Sequence, residues 1–586
     1  MIRRKKLLYA LIAITLFVPW YAIPAVAQLD ATPELSFDIW VLSWDDISVD
    51  TGGALRTLMT EIGVDLNIVI KDDDPMYEGL YQEPRQFITY EMSHGYDPAP
   101  EHLWWAMHSE NIIDWGNNNF GLNNATVDAA MDDLLSATPA EVLEAARVAQ
   151  VMAKDNIPYI PLFISDDTHA IRKEWVNYTA KPGGVFTSYN PQTMIFMYDE
   201  EWTSGPMEFV MAYSSDIGEL NPMFYRSERS HWYDMLVYDT LISFDDNLDP
   251  IPWLAEDWDI SSDGKTLNFT IRSGVEWHDG TPLTAEDVAF SFNYYKTAPE
   301  DANEWSFMQH MTSATAVGNV VTIVMDDSYA FALHTLGGDV YILPKHIREG
   351  IDADDDRWDD PDNVTAHTGS GPYKYASRVP DEFTELTLYG NWWGPDNPYV
   401  GQLPSITTCR IDVVRGQDAR ILAMRNGEAD TERYEVFGAY VNTVLNAPEL
   451  NLVTGVTAQW YYVWGFNLTI PGLDDIDVRR AMALAVDRDY CVSVGRLGFG
   501  TATNSTIPAE FFPTYYHPDG AFEEDVDLAN EILDNAGYLD IDNDGIREFP
   551  GVAPPALGVD PLLIIGVGAG ALIIGVIVTY FIVKRD

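Results

Sequence analysis

Only two cysteines, Cys409 and Cys491, occur in 586 residues. That excludes a multi-disulfide framework as the source of stability. The residues leave two readings open: one disulfide in an oxidising compartment, or two separate buried thiols. There is no C-x-x-C pair and no Cys/His cluster at zinc spacing. Basic residues are also scarce. Lys and Arg number 34 against 91 Asp and Glu, a formal net charge of −57. A phosphate backbone would be repelled, so nucleic acid is excluded as a partner. The acids are spread along the whole chain, which reads as a solvated surface better than as a cation site. Catalytic signatures are missing too. No nucleophile elbow, P-loop, H-E-x-x-H or Rossmann glycine pattern is present. His278 is the tempting general base, but it stands in a turn before a capped helix and reads better as structural. No enzyme, cofactor or metal is expected. Asp540, Asp542, Asp544 and Gly545 resemble the front of a calcium loop, but Gly551 stands where the bidentate Glu would be needed.

What is present is apolar bulk, 47% hydrophobic and 12% aromatic. Such a chain is not a disordered acidic protein, and its length allows two or three domains with sizeable cores. The ends carry address signals. Residues 1–27 combine a basic start, an apolar run and Ala25-Val26-Ala27, the pattern of a secretory signal peptide. Residues 561–583 run without a charge, long enough for a transmembrane helix, with Lys584 and Arg585 beyond. Residues 550–560 would be the linker. These ends predict a single-pass protein of the cell membrane with its body outside. N-x-[ST] sequons, such as that at Asn363, agree weakly with this location.

The most informative internal stretch is Leu267–Tyr295. Phe269, Ile271 and Val275 suggest a strand. His278-Asp279-Gly280 is a turn, since Asp-Gly tolerates the backbone angles required. Thr284 is an N-cap with Asp287 three residues on, and a helix carrying Val288, Phe292 and Tyr295 follows. Elsewhere, periodicity predicts helices over Leu55–Ile62, with Gly63 as C-cap, over Val127–Leu135 and over Pro139–Asn156. It predicts strands over Glu34–Trp40, Val64–Ile70, Phe87–Met92 and Ile157–Ile164.

The Leu267–Tyr295 stretch resembles the signature of the extracytoplasmic solute-binding proteins of peptide and nickel ABC importers, family 5. Gly369–Tyr375 (GSGPYKY), Asn426–Asp430, Phe466-Asn467, Asp477–Arg488 and Asp527–Gly537 resemble further family segments. The N-terminal block resembles the family's C-terminal part, through Gly63-Val64-Asp65, Gly95-Tyr96-Asp97-Pro98 and Asp155–Phe163. The order is inverted, which reads as a circular permutation with the usual termini joined at Asp199–Gly205. Surface termini that lie close together make such a rearrangement tolerable. The resemblance implies an α/β, two-lobed periplasmic-binding-protein-like (type II) fold with a hinged cleft. One lobe would combine residues 35–156 and 412–549, and the other would span 160–411. It implies capture of oligopeptides or another small solute and delivery to an ABC permease. An oligosaccharide-binding protein of the same transporter type, or a surface sensor or structural protein that kept the fold, are the alternatives.

Candidate ligand-binding residues follow. Trp460, Tyr462 and Trp464 alternate on one face of a strand, and the matching family strand lines the cleft. Tyr96 and Asp97 lie in the turn that, in peptide binders, carries an aspartate for the ligand's α-ammonium. A buried cation needs such a partner. The spacing here departs by about a residue, and Pro98 and Pro100 follow. Ser227 and Glu228 come after Asn221-Pro222, where family members present ligand contacts.

Overall fold

The computed structural model describes residues 34–551, apart from 44, 83, 96–98, 115, 167, 179–191, 225–227, 300–301, 434–435, 437–438 and 455–456. Two compact units divide it. Ser36–Leu533 is the large one, and the described part of the small one combines Glu34–Leu35 with Asp534–Gly551. In the small unit the backbone N–H of Leu35 donates to the carbonyl of Arg547 at 2.8 Å, and the Arg547 guanidinium pairs with Asp534 at 2.6 Å. The Asp540–Asp544 turn is held by its own carboxylates, Asp540 accepting from Gly545 N–H and Asp544 from Ile546 N–H.

Three sheets organise the large unit. The first has six strands in the order Asp65–Lys71, Ser36–Leu42, Thr89–Gly95, Thr457–Phe466, Tyr159–Asp166 and Gly500–Ala502. Its first three strands are parallel, and Thr457–Phe466 runs antiparallel to both neighbours. Strands from the beginning of the chain thus share one sheet with a strand more than 350 residues later. The second sheet has seven strands: Tyr373–Val379, Phe383–Leu388, Thr408–Val413, Glu208–Tyr213, Thr431–Glu432, His169–Arg172 and Leu450–Val453. The third is a four-stranded antiparallel sheet, Ala255–Ile260, Thr266–Ile271, Val320–Met325 and Met311–Val317.

The chain crosses between the first two sheets at two adjacent places. Asp166 lies opposite Thr457 in the first sheet, and His169 opposite Val453 in the second. This moves the expected boundaries. Tyr159–Asp166, expected mostly in the 160–411 segment, pairs in the first sheet, where its buried residues are flanked by strands on both sides. Thr431–Glu432 and Leu450–Val453, expected beside the N-terminal block as part of 412–549, pair in the second. For Thr431–Glu432 the reason is a strand–helix–strand unit. Thr408–Val413, helix Gln417–Asn426 and Thr431–Glu432 form a crossover whose strands both run parallel to Glu208–Tyr213, and such a unit returns to the sheet it left.

The signature forms as its residues dictate. Strand Thr266–Ile271 is followed by a turn with Gly274 at φ 82° and then the His278–Gly280 turn with Gly280 at φ 85°, and helix Ala285–Lys296 starts at a capping box. The backbone N–H and the hydroxyl of Thr284 both donate to Asp287, at 2.9 and 2.8 Å. Gly63 closes the first helical segment in a left-handed conformation, as expected of a C-cap. Cys409 and Cys491 are both buried free thiols, one on strand Thr408–Val413 and one in helix Arg488–Gly495.

The single-pass membrane placement is corrected. Among the described residues no helix is long and apolar enough to cross a membrane. Helix Val142–Asn156 has 15 residues and carries charged side chains, whereas a span needs about 20 predominantly apolar ones. The expected signal at 1–27, most of the linker and the run 561–583 lie outside the described residues.

Candidate functional site

The expected aromatic strand is real, and it is buried. Tyr462 is 5% exposed and Trp464 fully enclosed. Tyr462 stacks on Phe163 of the neighbouring strand, ring centroids 4.8 Å apart, and Trp464 packs on Phe466 at 5.1 Å. In register, Tyr462 faces Ser93 and Trp464 faces Glu91. Both rings therefore sit on one sheet face, as alternation predicts, but inside packed structure. Trp460 lies opposite Gly95, the residue before Tyr96, so the backbone brings these sequence-distant positions to one end of the ladder. Tyr96, Asp97 and Ser227 lie outside the described residues, as do the side chains of Trp460 and Glu228; Glu228 opens helix Glu228–Val237.

A pocket of about 400 Å³ opens where two helices meet one end of the strands of the four-stranded sheet. One wall is helix His102–Met107, with Trp104 and Trp105, and the end of helix Ala125–Ser136, with Asp132 and Leu135. The other is helix Trp305–His310 and the chain leaving strand Val320–Met325, with Phe307 and Tyr329. Three bonds clamp the walls together. Ala330 N–H donates to Leu135 O at 2.7 Å, Ser328 Oγ to Ala137 O at 3.1 Å, and the Tyr329 hydroxyl meets the Glu101 carboxylate. Burial, and then Glu101, push the Tyr329 phenol well above its usual pKa, so the hydroxyl keeps its proton and donates. Trp104 and Trp105 are neighbours in the sequence, but that Phe307 and Tyr329 would meet them is a matter of folding.

Carboxylates rim this pocket. Asp132 accepts from the Trp104 indole at 3.3 Å and lies 3.3 Å from His108 Nε2. Asp327 pairs with Lys265 at 2.9 Å, and Asp326 lies 3.4 Å from His310.

His278, the one candidate base, is a structural pin. Its Nδ1 accepts from Gly369 N–H at 3.1 Å and its Nε2 faces the Gly371 carbonyl at 2.9 Å. Nδ1 accepts, so the ring proton resides on Nε2 and both nitrogens are engaged. Burial lowers its pKa to about 3. The signature turn is thereby tied to the GSGPY turn. A Cβ at Gly369 would stand 1.8 Å from the Val237 carbonyl, which is why glycine is required there.

The sequence model for bacterial extracellular solute-binding proteins, family 5 Middle, matches residues 249–567. The chain belongs to this family. Among curated family-like relatives, the glutathione-binding protein GsiB of Pectobacterium atrosepticum is 24% identical over 335 residues, covering 56% of this chain and 61% of the relative. The oligopeptide-binding protein AppA of Bacillus subtilis is 25% identical over 352 residues, covering 57% and 61%. The chain thus spans about three fifths of the length of these relatives. A solved periplasmic oligopeptide-binding protein of an oligopeptide ABC transporter from Thermotoga maritima is 22% identical, with a TM-score of 0.47 over 60% of this chain and 65% of that one. Family membership agrees with the mixed α/β architecture described above and with the resemblance carried by the 267–295 signature.

Proposed function

We propose that this family 5 protein captures an oligopeptide between its two large sheets and presents it to an ABC permease, without chemistry of its own. Membership of the solute-binding family, over residues 249–567, carries the reading. Peptide-class names among the relatives, AppA and the dipeptide-binding protein of Escherichia coli, favour peptide over oligosaccharide. The paired crossings at Asp166/His169 and Val453/Thr457 would act as the hinge, because two short connections side by side allow rigid-body closure.

Within this reading Tyr96, Asp97 and Trp460 line one wall of the cleft, and Asp97 meets the ligand's cationic group. Tyr462 and Trp464 back that wall from within the packed strand. The Ser227–Glu228 segment contributes from the other side. Support comes from the ladder position of Trp460 beside Gly95 and from the family-like turn that follows. The inverted segment order is read as a circular permutation, supported by the sheet that joins Ser36–Gly95 strands to Thr457–Phe466.

The test is thermal melting of the full chain with mixed di- to nonapeptides and, separately, with oligosaccharides. A ligand that binds only the native state raises the melting temperature. Stabilisation by peptide is expected. Stabilisation by sugar alone would transfer the reading to oligosaccharide.

A further inference from the structure

We infer that the pocket of about 400 Å³ between Trp104/Trp105 and Phe307/Tyr329 is a subsite for an organic cation, an alkylammonium or guanidinium group carried by the solute. The inference rests on the solute-capture reading and adds a ligand class to it.

The aromatic rings come from three segments, yet they form a continuous lining across the two walls. Trp104 and Trp105 meet edge to face at 4.8 Å, Trp105 and Phe307 at 6.1 Å, and Phe307 and Tyr329 are tilted at 4.9 Å. All four are only partly buried, although each could pack fully in a core of this size. Aromatic faces carry negative potential, and a cation within about 6 Å of a ring centroid is attracted to it. Neutral apolar ligands would gain from the same wall, so the rings alone do not select charge.

The carboxylates do. Asp132 stands on one wall, Asp326 and Asp327 on the other. Lys265 balances Asp327. Asp132 lies beside His108 and Asp326 beside His310, and Lys265 is shared between Asp327 and the more distant Asp326. Three carboxylates stand against one lysine on this rim, and that excess of acid disfavours an anion and favours a cation. A bare metal ion lacks a ligand set here. Among the described residues, the one group of three carboxylates converging within 4.8 Å is Glu34, Asp542 and Asp544, elsewhere in the chain. The volume lies within the roughly 300–1,000 Å³ of small-molecule pockets, ample for a quaternary ammonium or an arginine-sized group. The Ala330–Leu135, Ser328–Ala137 and Tyr329–Glu101 clamps hold the walls in place before a ligand arrives, which reduces the ordering cost of binding.

Calorimetric titration of the full chain tests this with two matched pairs, choline against 3,3-dimethylbutan-1-ol and n-butylguanidinium against n-butylurea. Each pair differs in charge and little in shape. At least one cation should bind tenfold or more tightly than its neutral partner. Asp132→Asn, at an exposed position, should weaken the cation several-fold and leave the neutral compound unchanged. Phe307→Leu keeps apolar bulk and removes the π face, so it too should weaken only the cation. Equal affinity within both pairs, or cation binding indifferent to both variants, would overturn the inference. If neither cation binds while a peptide mixture does, the pocket assignment fails and solute capture stands. If neither probes nor peptides bind, the solute-capture reading fails with it.

Discussion

Ser48 Oγ lies 2.8 Å from the backbone carbonyl of Glu91 and is also hydrogen-bonded to the carboxyl of that residue. One hydroxyl proton serves two acceptors only as a weaker three-centre bond. With the Ser48 proton on the carbonyl, a protonated carboxyl completes the second bond as its donor. Glu91 is fully buried, and burial first, then Asp45, push its pKa well above the carboxylate range. The two observations agree: Glu91 is held as the neutral acid, directly beneath helix Asp46–Met59.

This has a pH signature. Below about 4.5 the carboxyl is protonated in both states and contributes no pH dependence. Above that the unfolded chain releases the proton and the native state retains it, so stability falls as pH rises toward the native pKa. Each unit of elevation corresponds to about 1.4 kcal/mol. Glu91→Gln should remove this slope. Urea midpoints at pH 4.5 and 7.5 should show the variant gaining on the wild type at the higher pH. An equal difference at both would place an ionised carboxylate in the core.

His278 acts in the opposite window. Its native pKa of about 3 lies below the ordinary 6.5, so the neutral ring's contribution is complete above pH 6.5 and declines as pH falls toward 3. His278→Ala should cost about 2–4 kcal/mol at pH 7, since it leaves Gly369 N–H and Gly371 C=O without their partner. Its penalty should shrink in acid. A penalty independent of pH, measured by denaturant midpoints at pH 7 and 4.5, would contradict the neutral pin.

Arg420 and Glu432 form a buried ion pair at 2.8 Å, with side chains 6% and 0% exposed. Removing one partner leaves the other charge unpaired in low dielectric. Glu432→Ala should therefore destabilise by about 3–5 kcal/mol. Replacing both residues with apolar side chains of similar volume should cost much less. Equal losses in the single and double variants would show that the pair itself matters little.

Asp239 gathers three donors, the indoles of Trp253 and Trp393 at 2.9 Å each and Ser370 Oγ at 2.8 Å. Asp239→Asn turns a donor toward at least one of them. A loss of about 2–3 kcal/mol is expected, read as a lowered denaturant midpoint with an altered tryptophan emission. Unchanged emission with unchanged stability would deny the network.

At the proposed cleft, Asp97→Ala should cost about 2–5 kcal/mol of peptide affinity by leaving an ammonium unpaired. Trp464→Ala should weaken binding by roughly 1–3 kcal/mol, through the strand it supports. Acetylating the peptide N-terminus should abolish the first effect and spare the second. Unchanged affinity in the Asp97 variant would remove the peptide-amine model.

Local chemistry by itself determined the signature at 267–295, its Thr284–Asp287 box, the Gly63 cap and most helices, because neighbouring residues set turns, caps and periodicity. It also marked Trp460–Trp464 as one alternating strand. Tertiary structure alone decided where the sheets divide. The crossings at Asp166/His169 and Val453/Thr457 depend on hydrogen-bond partners hundreds of residues apart, and a strand's own pattern does not say which sheet it joins. The same holds for the aromatic pocket. Trp105 and Phe307 meet because the Leu135–Ala330, Ala137–Ser328 and Glu101–Tyr329 bonds bring helix Ala125–Ser136 against the strand ends of another sheet. The burial of Trp464 was likewise settled by long-range packing, since alternation assigns side chains to a face but leaves open what covers it.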